Sequence, residues 1–271
     1  MLTNYHTHTQ FCDGKSTAEE MVISAIEKGF TAIGFSGHGY TPFDFTYCMQ
    51  DTDGYLAEIG RLREKYKREI EIYVGVEEDA HYIQKNRAAF DYVLGSSHYV
   101  ERGGVYIPVD NTPEKREQAI ALIDGDPMAM AECYYSYFVD YIKRRRPDII
   151  GHFDLLTKFD EKERNYFLAS PGYHKLAEKY LREALTADCI FEVNTGAISR
   201  DWRTLPYPHE NLLRIIRAEG GRLTITSDCH QAANLDCFFD ESRAILRDIG
   251  FEYTYALYRG EWVKEDRKSV V

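Results

Sequence analysis

"STAEEMVISAIEKGFTAIGFSGH", residues 16–38, holds one full repeat of the pattern that decides the fold. Its first half reads as a helix: Ser16 and Glu19 have capping-box spacing, and Gly29 supplies the stop. Its second half, "TAIGFSGH" (31–38), reads as a strand that ends in a histidine. The segment before it, "LTNYHTH" (2–8), is a strand of the same kind, so the chain opens strand–helix–strand.

Working outward, the alternation continues. A helical pattern around Tyr55 to Glu69 leads into "IEIYVGVE" (70–77), and "DYVLGSSH" (91–98) makes a fourth strand. Helical signal between about Pro113 and Arg146 precedes "DIIGH" (148–152), and a helix near Tyr173 to Ala187 precedes "DCIFEVN" (188–194). A helix near Pro208 to Gly220 leads to "RLTITSDCH" (222–230); the tail adds a helix over Glu241 to Gly250 and a short strand in "FEYTYALY". Such alternation implies parallel strands joined by right-handed crossovers. Seven or so units in one domain suit a closed barrel, with an open doubly wound sheet as the alternative. No Pro/Gly/Ser-rich linker, repeat or low-complexity tract divides the 271 residues, so a single domain over 1–271 is expected.

Composition narrows the function. A net charge of −11 argues against a broad nucleic-acid footprint, which needs clustered Lys and Arg. With no long apolar run and no basic-then-apolar leader, neither a membrane span nor a signal peptide is expected. The six cysteines show no C-x-x-C pairing and read as reduced thiols of a cytoplasmic protein. Cys12 and Cys229 flank candidate metal ligands, but a buried thiol is the ordinary reading.

The reactive residues share a position. Of nine histidines, His6, His8, His38, His98, His152 and His230 fall at or just past the C-terminal ends of predicted strands, where Glu77 and Asp228 also lie. In a parallel barrel those ends converge on one rim, where active sites are assembled. Imidazole with carboxylate is the donor set of first-row divalent metals. With Asp13 of "HTHTQFCDG" (6–14) the groups number nine, more than one catalytic zinc takes, which implies two or three ions. Two close ions can generate a hydroxide nucleophile and stabilise the entering and leaving oxygens of a phosphoryl displacement. The pattern points to metal-assisted hydrolysis.

The other histidines take plainer readings: His81 a loop or surface residue, His174 solvated on a helix, His209 structural at a helix start. The run Lys143 to Arg146 falls at a helix C-terminus, where cations complement the macrodipole.

These residues resemble the polymerase-and-histidinol-phosphatase (PHP) superfamily and, within it, the histidinol-phosphate phosphatases. The resemblance spans essentially the whole chain. It rests on "HTHTQFCDG", "FSGHGYTPF", "GVEEDAH", "DYVLGSSHYV", "DIIGHFDLLTKF", "FEVNTGAISR" with "LPYP", and "ITSDCH". An amidohydrolase also carries H-x-H but would want a lysine at the fourth strand end, where this chain has Ser96, Ser97 and His98. The resemblance implies a distorted (β/α)7 TIM-like barrel holding three metals, of Zn, Mn or Fe type. His6, His8, Glu77 and Asp228 would hold one ion, Asp13, His38 and His230 a second, and Glu77 would bridge to a third held by His98 and His152. Gly14 would let the first loop turn after Asp13.

The implied reaction is hydrolysis of L-histidinol phosphate, a small-molecule phosphomonoester, to L-histidinol and phosphate in histidine biosynthesis. Asp228 and His230 are the candidates for proton transfer, and Glu77 for the bridging carboxylate. Phosphate recognition falls to Arg200, whose fork matches phosphate oxygens, and then to Lys158. Asp44 or Glu78 would meet the substrate amine and imidazole. Two departures from relatives stand out: Thr157 where many carry arginine, and Gly37 where many carry aspartate. The alternatives are a PHP phosphoesterase for another substrate (a nucleotide, a phosphotyrosyl protein or a nucleic-acid end) and a barrel kept only for binding.

Overall fold

The computed structural model of the protein describes residues 1–266. In chain order its elements are β1 (Thr3–Asn4), α1 (Ala18–Glu27), β2 (Ala32–Phe35), α2 (Thr52–Tyr66), β3 (Glu71–Asp79), β4 (Tyr92–Ser96), β5 (Tyr99–Arg102) and β6 (Val105–Pro108). Then follow α3 (Pro113–Leu122), α4 (Pro127–Arg145), β7 (Ile149–Ile150), α5 (Pro171–Leu185), β8 (Ile190–Asn194), α6 (Gly196–Ser199) and α7 (Glu210–Ala218). The chain continues through β9 (Arg222–Thr226), α8 (Phe239–Ile249), β10 (Tyr253–Tyr258) and β11 (Glu261–Asp266).

Seven strands form one parallel sheet in the order β1-β2-β3-β4-β7-β8-β9, so its strands pair in chain order, with the separate β5–β6 hairpin inserted after β4. An open doubly wound sheet reverses direction at a switch point; this one does not. Its two ends meet instead. A bridge pairs Thr7 with Cys229, and the His8 N–H donates to the Cys229 carbonyl at 3.0 Å. Lower in the seam the buried Asn4 amide donates to Ser227 Oγ at 2.6 Å and accepts from the Ser227 N–H at 3.3 Å. The result is a nearly closed (β/α)7 barrel.

The barrel interior divides into an apolar floor and a polar rim. Tyr5, Tyr73, Tyr92, Leu94 and Ile149 pack at the N-terminal end against Ala256 and Leu257 of the β10–β11 hairpin. Tyr5 Oη donates to the Leu257 carbonyl at 3.0 Å and accepts from its N–H at 2.9 Å, locking that plug in place. Tyr92 fits because its neighbours lack side chains: a Cβ on Gly75 would lie 2.3 Å from its ring. Between barrel and helices lies the larger core, to which α4 contributes Tyr134, Tyr135, Phe138 and Ile142.

Several local expectations shift. The capping box of α1 is Thr17–Glu20, one residue later than Ser16–Glu19. Ser16 Oγ instead accepts from Ala232 N–H, and Glu19 pairs with Arg61 and Lys65. Gly29 does end the helix, at φ 77°. The stretch between Pro113 and Arg146 is two helices, separated where Asp124 (φ 58°) and Gly125 (φ 73°) take left-handed backbone. The β5–β6 hairpin, turning on Gly103–Gly104, and β11 went unread in the sequence. No helix among the described residues is long and apolar enough to cross a membrane.

Candidate metal centre

All nine side chains singled out, eight at strand ends and Asp13 in the first loop, converge at the C-terminal mouth of the barrel. His6 and His8 leave β1 on one side of the seam; Asp228 and His230 leave β9 on the other. The intervening turn carries Asp13 back over the barrel. Gly14 is required there by close approach, since a Cβ would sit 2.5 Å from the His8 carbonyl carbon and Thr9 nitrogen. His38 follows β2 and bridges Glu77 of β3; His98 follows β4 and His152 follows β7.

Glu77 is the hub. It is fully buried, and its two oxygens face different histidines. Oε1 lies 3.0 Å from His152 Nε2 and 3.3 Å from His98 Nε2. Oε2 lies 2.8 Å from His38 Nδ1, 3.3 Å from His6 Nε2 and 3.5 Å from His8 Nε2. Asp228 Oδ1 is 3.1 Å from His8 Nε2 and 3.7 Å from His6 Nε2. Asp13 approaches His230 Nε2 at 3.2 Å and His38 Nε2 at 3.6 Å. Four groups have donor atoms close enough to share an ion: His8–Asp13–His38–His230, His6–His8–Asp228, His6–Glu77–His152 and His38–Glu77–His98. Set beside the ligand sets implied by the resemblance, His8 also faces the Asp13 group, and His98 and His152 reach Glu77 in separate triads.

The donor set fits cations. His6 Nε2, His8 Nε2 and Glu77 Oε2 are buried without a hydrogen-bond partner although they face one another at 3.3–3.5 Å. Such orphaned lone pairs are costly in a dry interior. Donors on a tetrahedral ion with bonds of about 2.0–2.1 Å stand about 3.3 Å apart, the spacing seen here. Electrostatics agrees. Burial pushes the Glu77 carboxyl up, but His38, His6 and His98 outweigh it and hold it well below the usual carboxylate range. Burial, with His230 and His38 adding, lowers His8 to about 3, so its imidazole is neutral and its lone pair free. Asp228 is buried too, yet Arg200 and His6 keep it ionised, as an acceptor.

Two carboxylates escaped the sequence reading. Glu192 of β8 is buried, and its Oε2 accepts from His6 Nδ1 at 2.8 Å and Thr226 Oγ1 at 2.7 Å. Its Oε1 accepts from the His152 N–H and from Asn194 Nδ2. Asp79 accepts from His98 N–H and Nδ1 at 3.0 and 3.1 Å, and from His81 N–H and Nδ1 at 2.8 and 3.2 Å. Carboxylates on the far nitrogen of a ligating imidazole set its tautomer and aim. The available signals were a lone carboxylate inside the apolar run of β8 for Glu192, and for Asp79 its place two residues beyond Glu77 at the end of β3.

Above the cluster opens a cavity of about 320 Å³, lined also by Lys15, Tyr47, Tyr99, Asp110, Lys158 and Arg200. Arg200 Nη2 donates to Asp228 Oδ2 at 3.0 Å, and its Nη1 is 3.1 Å from His230 Nδ1. Lys158 Nζ donates to the Asp110 carbonyl at 2.6 Å and to its Oδ2 at 3.2 Å. The remaining candidates are displaced from this wall. Glu78 is fully buried, gripped by Arg145 Nε and Nη2 at 2.8 and 3.0 Å and by Tyr141 Oη, so it cannot meet a ligand. Asp44 accepts from Tyr99 Oη and Thr46 and does not line the cavity.

His81 is no surface residue: its side chain is buried, stacked on Tyr137 at 4.0 Å. His174 is half-buried with Nε2 against the Leu168 carbonyl rather than solvated, whereas His209 does cap α7. Lys143 to Arg145 close α4, with Arg145 turned inward onto Glu78. Cys12 Sγ packs 3.5 Å from His8 Nδ1, but burial and Asp13 push its thiol up to about 12, and neither it nor Cys229 joins a converging donor group among the described residues. At the two departures, Thr157 Oγ1 accepts from Arg203 Nη1 at 2.6 Å, and a Cβ on Gly37 would press on Met49 and Cys12.

Known proteins share this arrangement of chain. Residues 4–196 match the family model described as PHP domain. A Schizosaccharomyces pombe protein named "Probable histidinol-phosphatase" is 29% identical over 96% of this chain and 90% of its own length. A "Histidinol-phosphatase" of Lactococcus lactis subsp. lactis is 25% identical over 98% of each. The crystal structure of histidinol phosphate phosphatase from L. lactis, complexed with Zn, L-histidinol and phosphate, has the same fold. It superposes with a TM-score of 0.72 at 19% identity, covering 97% of this chain and 99% of that one.

Proposed function

The chain belongs to the PHP domain family, and from that premise we propose that it is a metal-dependent phosphomonoesterase. Its substrate is L-histidinol phosphate, hydrolysed to L-histidinol and phosphate in histidine biosynthesis. The observation that carries the reaction class is the set of buried, unpartnered donor atoms on His6, His8 and Glu77, beside partners His38, His98, His152 and Asp228 that line a cavity. The substrate is supported by relatives that match nearly end to end and are named histidinol-phosphatases. The end-to-end match also supports reading residues 1–271 as one catalytic domain.

His6, His8, Asp13, His38, Glu77, His98, His152, Asp228 and His230 would hold two or three divalent ions of Zn, Mn or Fe type. Bound there, the ions supply an activated water and neutralise the phosphate oxygens. The chain's own groups do the rest. Arg200 presents a guanidinium fork, and Lys158 a buried ammonium, to the phosphate. Water oxygen bonds to phosphorus as the ester P–O bond breaks; one proton leaves the water and one reaches the departing oxygen. Asp228, kept ionised, and His230 line the cavity where those protons move. Glu77, its two oxygens facing different histidines, keeps the flanking rings in register.

Elemental analysis of the purified protein, paired with turnover of a phosphoester panel before and after chelation, tests this. Two or three metal equivalents, chelator-sensitive turnover and preference for histidinol phosphate are the expected results. Indifference to histidinol phosphate, with another ester preferred, would reject the substrate; turnover that survives full chelation would reject the metal mechanism.

A further inference from the structure

The cavity holds three carboxylates, Asp13, Asp228 and Asp110, and the first two belong to the metal cluster. Asp110 stands apart from it, on the segment between β6 and α3. The Val109 N–H donates to the His98 carbonyl at 2.9 Å, tying this segment to the end of β4. Lys158 then pins Asp110 twice, through its main-chain carbonyl and through Oδ2. Oδ1 has no partner among the described residues, and the side chain remains 20% exposed to the cavity. Burial pushes the Asp110 carboxyl up, but Lys158 and the His98 imidazole hold it ionised.

We infer that Asp110 is the specificity-determining residue of this cavity, its free Oδ1 accepting a primary ammonium group of the substrate. The inference rests on the phosphatase reading above and deepens it. L-Histidinol phosphate carries a dianion at its ester oxygen and an ammonium on the second carbon from that oxygen. Along the cavity wall the charges then alternate: phosphate, Lys158 ammonium, Asp110 carboxylate, substrate ammonium. Lys158 sets the carboxylate in place before the substrate arrives, so little ordering is lost on binding. Neither Asp44 nor Glu78 offers this, the first being off the cavity and the second sealed by Arg145.

The test compares L-histidinol phosphate with its deamino analogue, 3-(imidazol-4-yl)propyl phosphate, in the metal-replete enzyme. A hydrogen bond to a charged group corresponds to about 10- to 100-fold in kcat/KM, so the wild type prefers the amino substrate by that ratio. Asp110→Asn brings the ratio to within about threefold of one, whatever its effect on absolute rates. Calorimetric binding of L-histidinol against the deamino alcohol reads the same preference without turnover, covering a variant that binds but does not react. A wild-type ratio near one, or a ratio that survives in Asp110→Asn, overturns the inference and leaves the phosphatase reading standing. If the wild type hydrolyses neither ester, the phosphatase reading itself fails and this inference falls with it.

Discussion

Replacing Glu192 by glutamine keeps the side-chain shape and removes one acceptor oxygen. In the wild type each oxygen takes two donors: His6 Nδ1 and Thr226 Oγ1 on Oε2, the His152 N–H and Asn194 Nδ2 on Oε1. The amide oxygen of glutamine is best kept by the main-chain N–H, which can only donate, and by Asn194 Nδ2, whose own Oδ1 is held by the Gly196 N–H at 2.8 Å. The amide NH2 then faces Thr226, whose hydroxyl can rotate, and His6 Nδ1. His6 can accept from the amide only as the other tautomer, with its proton moved to Nε2. That proton points at Glu77 and Asp228 and occupies the lone pair proposed to bind metal. Losing such a carboxylate partner typically costs about 10- to 100-fold in metal affinity or activity. The folding cost is smaller, about 1–3 kcal/mol for a strained buried pairing, or a few degrees in Tm for a domain this large. Glu192→Ala, which strands all four donors, should instead fail to fold. The assay titrates Glu192→Gln with Zn or Mn against a competing chelator and follows unfolding by circular dichroism. A folded variant that binds metal within about threefold of wild type would refute the tautomer argument.

Other perturbations read other parts of the site and fold. His98→Ala should cut turnover by at least about 100-fold in metal-replete enzyme and lower the metal content; unchanged phosphate release would dismiss the third ion. Arg200→Lys keeps the charge but loses the fork held on Asp228 and His230, so kcat/KM should fall by about 10-fold or more; wild-type kinetics in this variant would place Arg200 outside phosphate binding. Asn4→Ala strips the barrel seam of its bonds to Ser227, Leu235 and His6 N–H and should cost about 2–4 kcal/mol. Urea unfolding measures that loss, and a change under about 0.5 kcal/mol would mean that the seam relies on other contacts.

What is local in the chain follows from periodicity. A strand advances with period two and a helix with period 3.6, so the alternation around residues 16–38 is a local signal, and His38, Glu77, His98 and His152 stand at comparable places in successive units. The hairpin on Gly103–Gly104 carried a readable turn signal as well. The capping box was misplaced by one residue because Ser16–Glu19 and Thr17–Glu20 have the same spacing. Only Ala232 and Lys65, remote in sequence, decide which pair is released to cap α1. His81 does lie in a turn, but its burial depends on Tyr137, remote in sequence, stacking on its ring.

The amino-acid sequence by itself determined the strand–helix alternation, the placing of eight metal-type donors at strand ends with Asp13 in the first loop, and the family resemblance those motifs carry. Each is a property of spacing, and spacing survives without a fold. The tertiary structure alone decided that Thr7 meets Cys229 to close the barrel, that Glu77 divides its oxygens between two sets of histidines, and that Glu192 and Asp79 stand behind the rings. It alone turned Lys158 onto Asp110 and sealed Glu78 under Arg145. These are questions of which atoms lie within about 3 Å of one another, and partners far apart in the chain come that close only when the whole barrel has packed.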